Sequence, residues 1–322
     1  MDFTKLFYSL FVSSFIVSSS LFLAEGCDFP SSWTGTWYSS RRGALIINST
    51  TISDINTTLT GPLTYTCFMN SADTYVIRSE LFTLHNALHR AYFCLEFSEI
   101  TKGSLVYYHT TRVNPQAYNE RLKAYPSISS VTKLDICDDT PDITSWEMLV
   151  KQGSFEDAEQ DCPNDIRGQY NYTLTMSSST TCGLGNSSLD VCTDVTKPTV
   201  NMSLCSTPVA FSAGGLLQCA FSHSIDSYTY TFLLNLDNTT DEATTFRFTC
   251  LVSVVSGTLG DYTYATQYPQ LCHSSQTPTS VPSAGGSLVM LPSECCGWTM
   301  ERHLRNVCDD DDLAHFVIAY LL

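Results

Sequence analysis

Cysteine is the residue type with the clearest chemical potential in this sequence. The chain has 14 cysteines, all beyond residue 26, and an even number behind an export signal predicts a disulfide framework. Zinc binding is the alternative, but no C-x2-C pair occurs, and neighbouring cysteines are at least 10 residues apart except for Cys295 and Cys296. The predicted disulfide residues are Cys27, Cys67, Cys94, Cys137, Cys162, Cys182, Cys192, Cys205, Cys219, Cys250 and Cys272.

Two histidines form a second candidate for metal chemistry. His85 and His89 in the segment LHNALHR are four residues apart, so on a helix they would share one face and could bind a metal ion. No glutamate follows His85, so the H-E-x-x-H pattern is missing, and the surrounding residues are typical of a strand or loop. We predict structural or surface histidines, and we interpret the run Asp309–Asp312 as a solvated acidic tail. No metal and no cofactor are predicted.

The sequence shows no arrangement typical of nucleophilic catalysis. It contains no G-x-S-x-G elbow, and oxidised cysteines offer no catalytic thiolate. Carboxylates occur in DVCTDVTKP and DDTPD, but their spacing does not indicate a catalytic pair. We therefore predict a protein without enzymatic activity.

The first 26 residues are typical of a secretory signal peptide. Lys5 precedes an apolar stretch over residues 6–23, and Ala24 and Gly26 place small residues before Cys27. An uncleaved anchor helix is the alternative, since the apolar stretch is nearly long enough to span a bilayer. Cleavage predicts a secreted protein with no stable membrane span.

Glycosylation is the second expectation that follows from export. Sequons of the type N-x-S/T mark surface positions that can carry glycans in a secreted protein. The predicted sites are Asn48, Asn56, Asn171, Asn186, Asn201 and Asn238. The formal net charge of −16 argues against nucleic acid or an anionic membrane as a partner, because phosphates would be repelled. An unknown extracellular protein and a small apolar ligand remain as possible partners.

Short aromatic and β-branched segments dominate the chain. TYVIRSELFTL, GSLVYYHTT, QYNYTLTMSS, YTYTFLLNL and TFRFTCLVSVV predict strands, and DNTTDE predicts a turn between two of them. The segments PQAYNERLKAYP and TSWEMLVKQGSFEDAEQ predict short helices. The predicted fold is mainly β, with two disulfide-stapled antiparallel modules, barrel-like or sandwich-like, and one or two short helices.

A short repeated pattern of cysteine, glycine and aromatic residue, which we call the internal echo, predicts where the two modules begin. Cys27 is followed by Gly35 and Trp37, while Cys162 is followed by Gly168 and Tyr170. A glycine and then a large aromatic on the same face predict buried rings, so Trp33, Gly35, Trp37, Gly168 and Tyr170 are the predicted structural core. The predicted organisation is a signal peptide (1–26), a first β module (27–136), a connector (137–161), a second β module (162–280) and an irregular tail (281–322).

The Gly35-x-Trp37 motif resembles the opening of lipocalins, in which the tryptophan packs across the closed end of an eight-stranded barrel. Such a barrel can hold one small apolar ligand. This resemblance implies a carrier function as the alternative to a binding or structural role, with Trp37 at the floor of an apolar cavity.

A longer resemblance runs from Cys27 to Pro292. The opening CDFPSSWTGTW, then LHNALHRAYFC, CP followed by GQYNY, CSTPVAFSAGGLLQC, TFRFTC and TQYPQLC resemble a family of uncharacterised invertebrate ectodomains with tandem domains of unknown function. The histidine segment departs from the family pattern. The resemblance implies secretion or membrane attachment and a cysteine-stapled β fold, and it implies no catalytic residue. The leading hypothesis is a secreted glycoprotein with a binding or extracellular structural role.

Overall fold

The computed structural model describes residues 27–142, 145–176, 181–202, 209–238, 240–256 and 262–294. Several predicted features lie outside the described residues: the signal peptide 1–26, Cys205, Cys295, Cys296, Cys308 and Asp309–Asp312. The described chain consists mostly of antiparallel strands, so the predicted fold class is confirmed.

The first part of the chain forms a ten-stranded antiparallel sheet. Its strands are β1 (Gly35–Ser39), β2 (Gly43–Ile47), β3 (Thr51–Thr57), β4 (Gly61–Ser71), β5 (Thr74–Ser79), β6 (Phe82–Leu84), β7 (Ala87–Thr101), β8 (Ser104–His109), β9 (Lys123–Pro126) and β10 (Trp146–Lys151). Eight of them close into a barrel, because β5 pairs with β7 and β10 pairs with β1. The remaining two, β6 and β9, pair with the first half of β7.

Side chains at alternate positions point inward and fill this barrel. Trp37 lies opposite Leu45 of β2, and both are buried, as the two-residue period of a strand requires. The other interior side chains are mainly large and apolar: Ile47, Ile52, Ile55, Tyr65, Ile77, Phe93, Leu95, Phe97, Leu105 and Leu149. The first barrel therefore has a packed core.

The segment 137–161, predicted as a connector, contributes a central strand to this barrel. Strand β10 lies between β1 and β8, and the helix predicted for TSWEMLVKQGSFEDAEQ is wrong over these residues. Leu149 faces the barrel core while Met148 packs on the outside, so both faces of the strand are buried. A strand buried on both faces loses its polar alternation, which is why the pattern was ambiguous.

The other predicted helix, PQAYNERLKAYP, is also wrong. It contains one 3-10 turn, Pro115–Ala117, and then strand β9. Tyr118 and Asn119 follow the turn with φ of 57° and 61°, left-handed values that a right-handed helix cannot contain. The α-helix of the described residues is α1 (Lys133–Ile136), and no described helix is long and apolar enough to cross a membrane.

The second part of the chain forms an eight-stranded antiparallel sheet. Its strands are β11 (Gln169–Met176), β12 (Thr181–Asp190), β13 (Thr199–Val200), β14 (Leu217–Ile225), β15 (Tyr228–Asn235), β16 (Phe248–Ser256), β17 (Tyr262–Pro269) and β18 (Gly286–Glu294). The edge strands β13 and β14 approach each other at a bridge between Thr199 and Leu216. Strand β18 pairs with β11 and β17, so part of the predicted irregular tail is regular sheet.

The two sheets pack against each other through their outer faces. Met148 and Val150 of β10 belong to the same buried cluster as Phe232 and Val252 of the second sheet. Trp146 adds an edge-to-face contact with Phe221, at a ring separation of 5.8 Å. The two modules therefore share an apolar interface in addition to their own cores.

The internal echo has a structural counterpart at the start of each sheet. The 3-10 turns Ser31–Trp33 and Asn164–Ile166 each follow directly after a proline, and a single residue separates each turn from the next glycine. Gly35 begins β1 with φ of 137°, and Gly168 immediately precedes β11 with φ of 153°. These backbone conformations favour glycine, so both turns feed their strands in the same way.

The aromatic two residues after each glycine is buried and bonds back to the turn. Trp37 is 1% exposed, and its Nε1 donates to the carbonyl of Trp33 at 2.7 Å. Tyr170 is 5% exposed, and its hydroxyl donates to the carbonyl of Arg167 at 2.8 Å. Burial raises the pKa of Tyr170 to about 12, so this hydroxyl stays a donor. Each aromatic side chain thus forms a hydrogen bond that fixes the end of the turn before its strand.

Gly168→Ala is expected to destabilise the protein more than Gly35→Ala. Both changes force a side chain into an unfavourable backbone conformation, at a cost of about 1–3 kcal/mol. At Gly168 the new Cβ would also lie 2.9 Å from the ring of Tyr170, whereas at Gly35 it meets only the flexible end of Lys151. We expect the overpacking to add about 1–3 kcal/mol, measured by urea unfolding. Equal losses for the two variants would contradict this difference.

Candidate functional site

The predicted cysteines lie in a disulfide framework. The described bonds are Cys27–Cys67, Cys94–Cys137, Cys162–Cys219 and Cys250–Cys272. The first four cysteines of the chain therefore pair among themselves, and Cys182 and Cys192 are also disulfide-bonded. No described cysteine is free.

Peptide mapping of the native, unreduced protein is expected to recover cross-linked peptides for these four bonds. The paired Cα atoms are 5.1 to 5.3 Å apart, within the usual range for a disulfide. Iodoacetamide should label none of the eight sulfurs until a reductant is added. Alkylation of Cys94 or Cys137 in native protein would show that the framework of the first barrel is incomplete.

The predicted glycosylation sites are distributed over both sheets. Asn48, Asn56, Asn201 and Asn238 are exposed, and Asn171 is half-buried on β11. The side chain of Asn186 lies outside the described residues. Asn56 is at the end of β3, where it lines a cavity described below.

The two candidate metal histidines lie on a hairpin. His85 and Asn86 form the tight turn between β6 and β7 with φ of 49° and 61°, and His89 is on β7 opposite Phe82. The two side chains thus do not share a helical face. Among the described residues, no three His, Cys, Asp or Glu side chains are grouped closely enough to hold a metal ion.

A buried polar network lies at the end of the first barrel opposite Trp37. Glu147 near the start of β10 accepts hydrogen bonds from Tyr107 and, at 2.8 Å, from Nε2 of His109. Nε of Arg42, just after β1, is 3.3 Å from Oε2 of Glu147, and Nη1 of Arg42 donates to the carbonyl of Asn56. The β1–β2 turn, the end of β8 and the start of β10 meet at this end of the barrel because neighbouring strands run antiparallel.

Electrostatics in this network favour an ionised Glu147 beside a neutral His109. Burial by itself would raise the pKa of Glu147, but the attraction of the Arg42 charge and the hydrogen bond from His109 outweigh it and hold the pKa well below the usual value. Burial lowers the pKa of His109 although Glu147 opposes this shift. Because a carboxylate only accepts hydrogen bonds, Nε2 of His109 carries the proton, and its buried Nδ1 has no partner. Burial, reinforced by Glu147, raises the pKa of Tyr107, which keeps its hydroxyl a donor.

A cavity of about 270 Å³ opens above this network, at the mouth of the barrel. We call it the mouth cavity; its lining is Arg41, Arg42, Asn56, Thr57, Thr58 and Glu120. Glu120 is 7% exposed, and its Oε1 accepts from the backbone N–H of Thr58. Its Oε2 is buried and has no hydrogen-bond partner. An unsatisfied buried carboxylate oxygen is costly, so a donor supplied from outside the chain would stabilise it.

A second cavity, of about 320 Å³, lies at the seam of the second sheet. Its lining includes the apolar residues Leu216, Leu217 and Leu236 and the charged residues Asp190 and Lys197. The carboxylate of Asp190 already accepts from the backbone N–H groups of Cys192 and Thr193 and from the hydroxyl of Thr193. The charged groups of this second cavity are therefore satisfied by the chain itself, since Lys197 also pairs with Glu159. The mouth cavity is the stronger candidate site.

Of the mouth residues, the sequence analysis singled out Asn56, as a glycosylation site, and none of the charged residues. The available signal was the dibasic turn SSRRG, because two adjacent arginines between strands are unusual in so acidic a chain. Arg42 and Glu147 are separated by 105 residues, and Thr58 and Glu120 by 62. Spacing along the chain therefore carries no information about their contact.

Comparison with known proteins informs mainly the second sheet. A family model described as Domain of unknown function (DUF7042) matches residues 158–285. No curated protein and no solved structure matches the chain. The matched segment supports an uncharacterised family for β11 to β17 and does not include the mouth cavity, whereas the invertebrate origin and tandem organisation stay predictions.

Proposed function

We propose that the protein is a secreted, glycosylated binding protein that holds a small polar molecule in the mouth cavity of its first barrel. The observation that carries this proposal is the buried, unpartnered Oε2 of Glu120, a residue that lines a polar cavity. Native proteins rarely leave such an oxygen unsatisfied. A ligand that donates a hydrogen bond would supply the missing partner.

The disulfides and the sequons support an extracellular location. Disulfides persist in oxidising compartments and are rare in the cytosol. The exposure of Asn48, Asn56, Asn201 and Asn238 is compatible with glycan attachment. Both features agree with the signal peptide predicted for residues 1–26.

A polar ligand is favoured over an apolar one. An apolar carrier needs an empty cavity above Trp37, but Leu45, Phe93, Phe97 and Leu105 belong to the packed cluster there. The cavity described for this barrel is at its mouth, where the lining is charged or polar. The cavity therefore suits a molecule that forms hydrogen bonds.

We further propose binding without catalysis. The groups with acid–base potential, Glu147 and His109, are 1% and 2% exposed and lie beneath the cavity. A general base must come within hydrogen-bond reach of its substrate. Arg42 and Phe93 pack around these groups, so their polar atoms face the protein.

Nuclear magnetic resonance with a library of small polar compounds tests the proposal. Compounds that bind at the mouth should shift the amide signals of Thr57 and Thr58 in a saturable manner. The amide of Gly103, in the β7–β8 turn at the opposite end of the barrel, is the internal control. If no compound shifts the Thr57 and Thr58 signals, or if Gly103 shifts equally, the proposed binding site is wrong.

A further inference from the structure

The mouth cavity contains opposite charges on separate parts of its lining. Glu120 contributes a carboxylate with one buried oxygen that has no hydrogen-bond partner, while Arg41 and Arg42 contribute guanidinium groups. The guanidinium of Arg42 already has partners within the chain, because it contacts Glu147 and donates to the carbonyl of Asn56. The lining groups with unused hydrogen-bonding capacity are therefore the buried Oε2 of Glu120 and the guanidinium of Arg41.

Building on the proposed function, we propose that the ligand is a small zwitterion with an ammonium group and a carboxylate, the size of a free amino acid. Its ammonium group bonds to Oε2 of Glu120, which is buried and must turn into the cavity to meet it, and its carboxylate pairs with Arg41. The cavity of about 270 Å³ accommodates a molecule of this size.

The Glu120 side of the cavity selects a cationic donor. Oε1 is held by the N–H of Thr58, which orients the carboxylate and leaves Oε2 as the acceptor. A charged donor forms a shorter and stronger bond to a carboxylate than a neutral one. Three N–H groups on an ammonium also allow further bonds to other acceptors of the polar lining.

The Arg41 side selects an anion. Arg41 makes a loose ion pair, with Nη1 at 3.7 Å from Oε1 of Glu147, and its side chain is 35% exposed. Its remaining N–H groups can take a carboxylate in the two-bond geometry typical of arginine. Arginine thus supplies the recognition of the opposite end of the ligand.

Molecules with a single charge fit this lining less well. An anion without an ammonium group would lie beside Glu120, and a cation without a carboxylate would lie beside Arg41. Each like-charge contact costs affinity in a partly desolvated site. The lining arginines balance Glu120 and the underlying Glu147, so a ligand with no net charge disturbs the balance least.

Isothermal titration calorimetry tests the proposed ligand class on the full-length secreted protein. Its N-linked glycans are removed first, because Asn56 lines the cavity. The zwitterionic probes are glycine, β-alanine and L-serine; the single-charge probes are acetate and ethylammonium. We expect at least one zwitterion to bind, with both single-charge probes at least about tenfold weaker.

Two variants locate the binding. Glu120→Gln keeps Oε1 for the N–H of Thr58 but loses the charge, and Arg41→Gln removes the guanidinium; each should weaken zwitterion binding at least about tenfold. Glu96→Gln on the exposed face of β7 is the matched control and should bind normally. Circular dichroism confirms that the variants remain folded.

The possible failures are distinguishable. One outcome is that acetate or ethylammonium binds as tightly as every zwitterion and that this binding also depends on Glu120 or Arg41. That outcome would refute the ligand class but keep the proposed function. The same holds if no probe binds while library compounds still shift the signals of Thr57 and Thr58. Zwitterion binding that neither variant affects would place the site elsewhere and overturn both proposals.

Discussion

Glu147→Leu is expected to lower the free energy of unfolding by about 3–5 kcal/mol, because it leaves a buried guanidinium without its counter-charge. Arg42 has only 5% of its side chain exposed and loses both contacts to the Glu147 carboxylate. Tyr107 and His109 lose their acceptor at the same time. Equilibrium unfolding in urea measures the loss.

The double variant Glu147→Leu with Arg42→Met is the matched control. Replacing both charges of a buried pair by apolar side chains is often neutral or stabilising, so much of the lost stability should return. If the double variant were less stable than Glu147→Leu alone, Arg42 would stabilise the fold even without the Glu147 carboxylate. The loss in the single variant would then not come from an unpaired guanidinium. A loss below about 1 kcal/mol in the single variant would indicate a network exposed to water.

Acid unfolding provides a second measurement on the same residue. The folded pKa of Glu147 lies below its ordinary value of 4.5, so the unfolded chain takes up a proton at a higher pH than the folded chain does. Its stabilising contribution is therefore complete above about pH 4.5 and declines as the pH falls towards the folded pKa. Glu147→Gln should show a shallower loss of stability across that range than the unaltered protein.

Trp37→Ala is the second change with a large expected effect, a loss of about 3–5 kcal/mol. The ring is almost completely buried, and its removal leaves a cavity in the core of the first barrel. The carbonyl of Trp33 also loses the hydrogen bond from Trp37 Nε1. Secretion should fall sharply, because a loss of this size is a large part of the stability of a domain.

Trp37→Phe separates the two contributions. It keeps most of the apolar volume but loses the hydrogen bond, so we expect a loss of about 1–3 kcal/mol. Ile128→Ala is the surface control, since Ile128 is 94% exposed and such changes stay within about 0.5 kcal/mol. Unchanged urea unfolding of Trp37→Ala would mean that the ring does not contribute to the core as its burial indicates.

Local features of the fold could be predicted because their physical cause is local. Strands β5, β8, β11, β15 and β16 coincide with aromatic and β-branched segments of the sequence. The glycine and aromatic of each echo lie two residues apart, a distance over which the pleat alone decides the facing of the side chains. The even number of cysteines likewise predicted a disulfide framework without predicting any pairing.

Features that depend on distant contacts escaped prediction. Strand β10 was mistaken for a helix because its outer face is covered by the second sheet, which no local pattern reveals. The single run WEMLVK fits either structure until its neighbours are known. Tertiary burial therefore overrode the local pattern at this strand.

The sequence by itself determined the β class, the oxidised cysteine framework and the buried aromatic after each opening glycine. Only the tertiary structure decided that the first sheet closes and that Arg42, Glu120 and Glu147 meet at its mouth. The physical reason is strand register: closure brings the ends of non-consecutive strands together, so that groups 62 to 105 residues apart in the sequence form hydrogen bonds. The role of a charged loop residue such as Arg42 can be inferred only when the groups that face it are known.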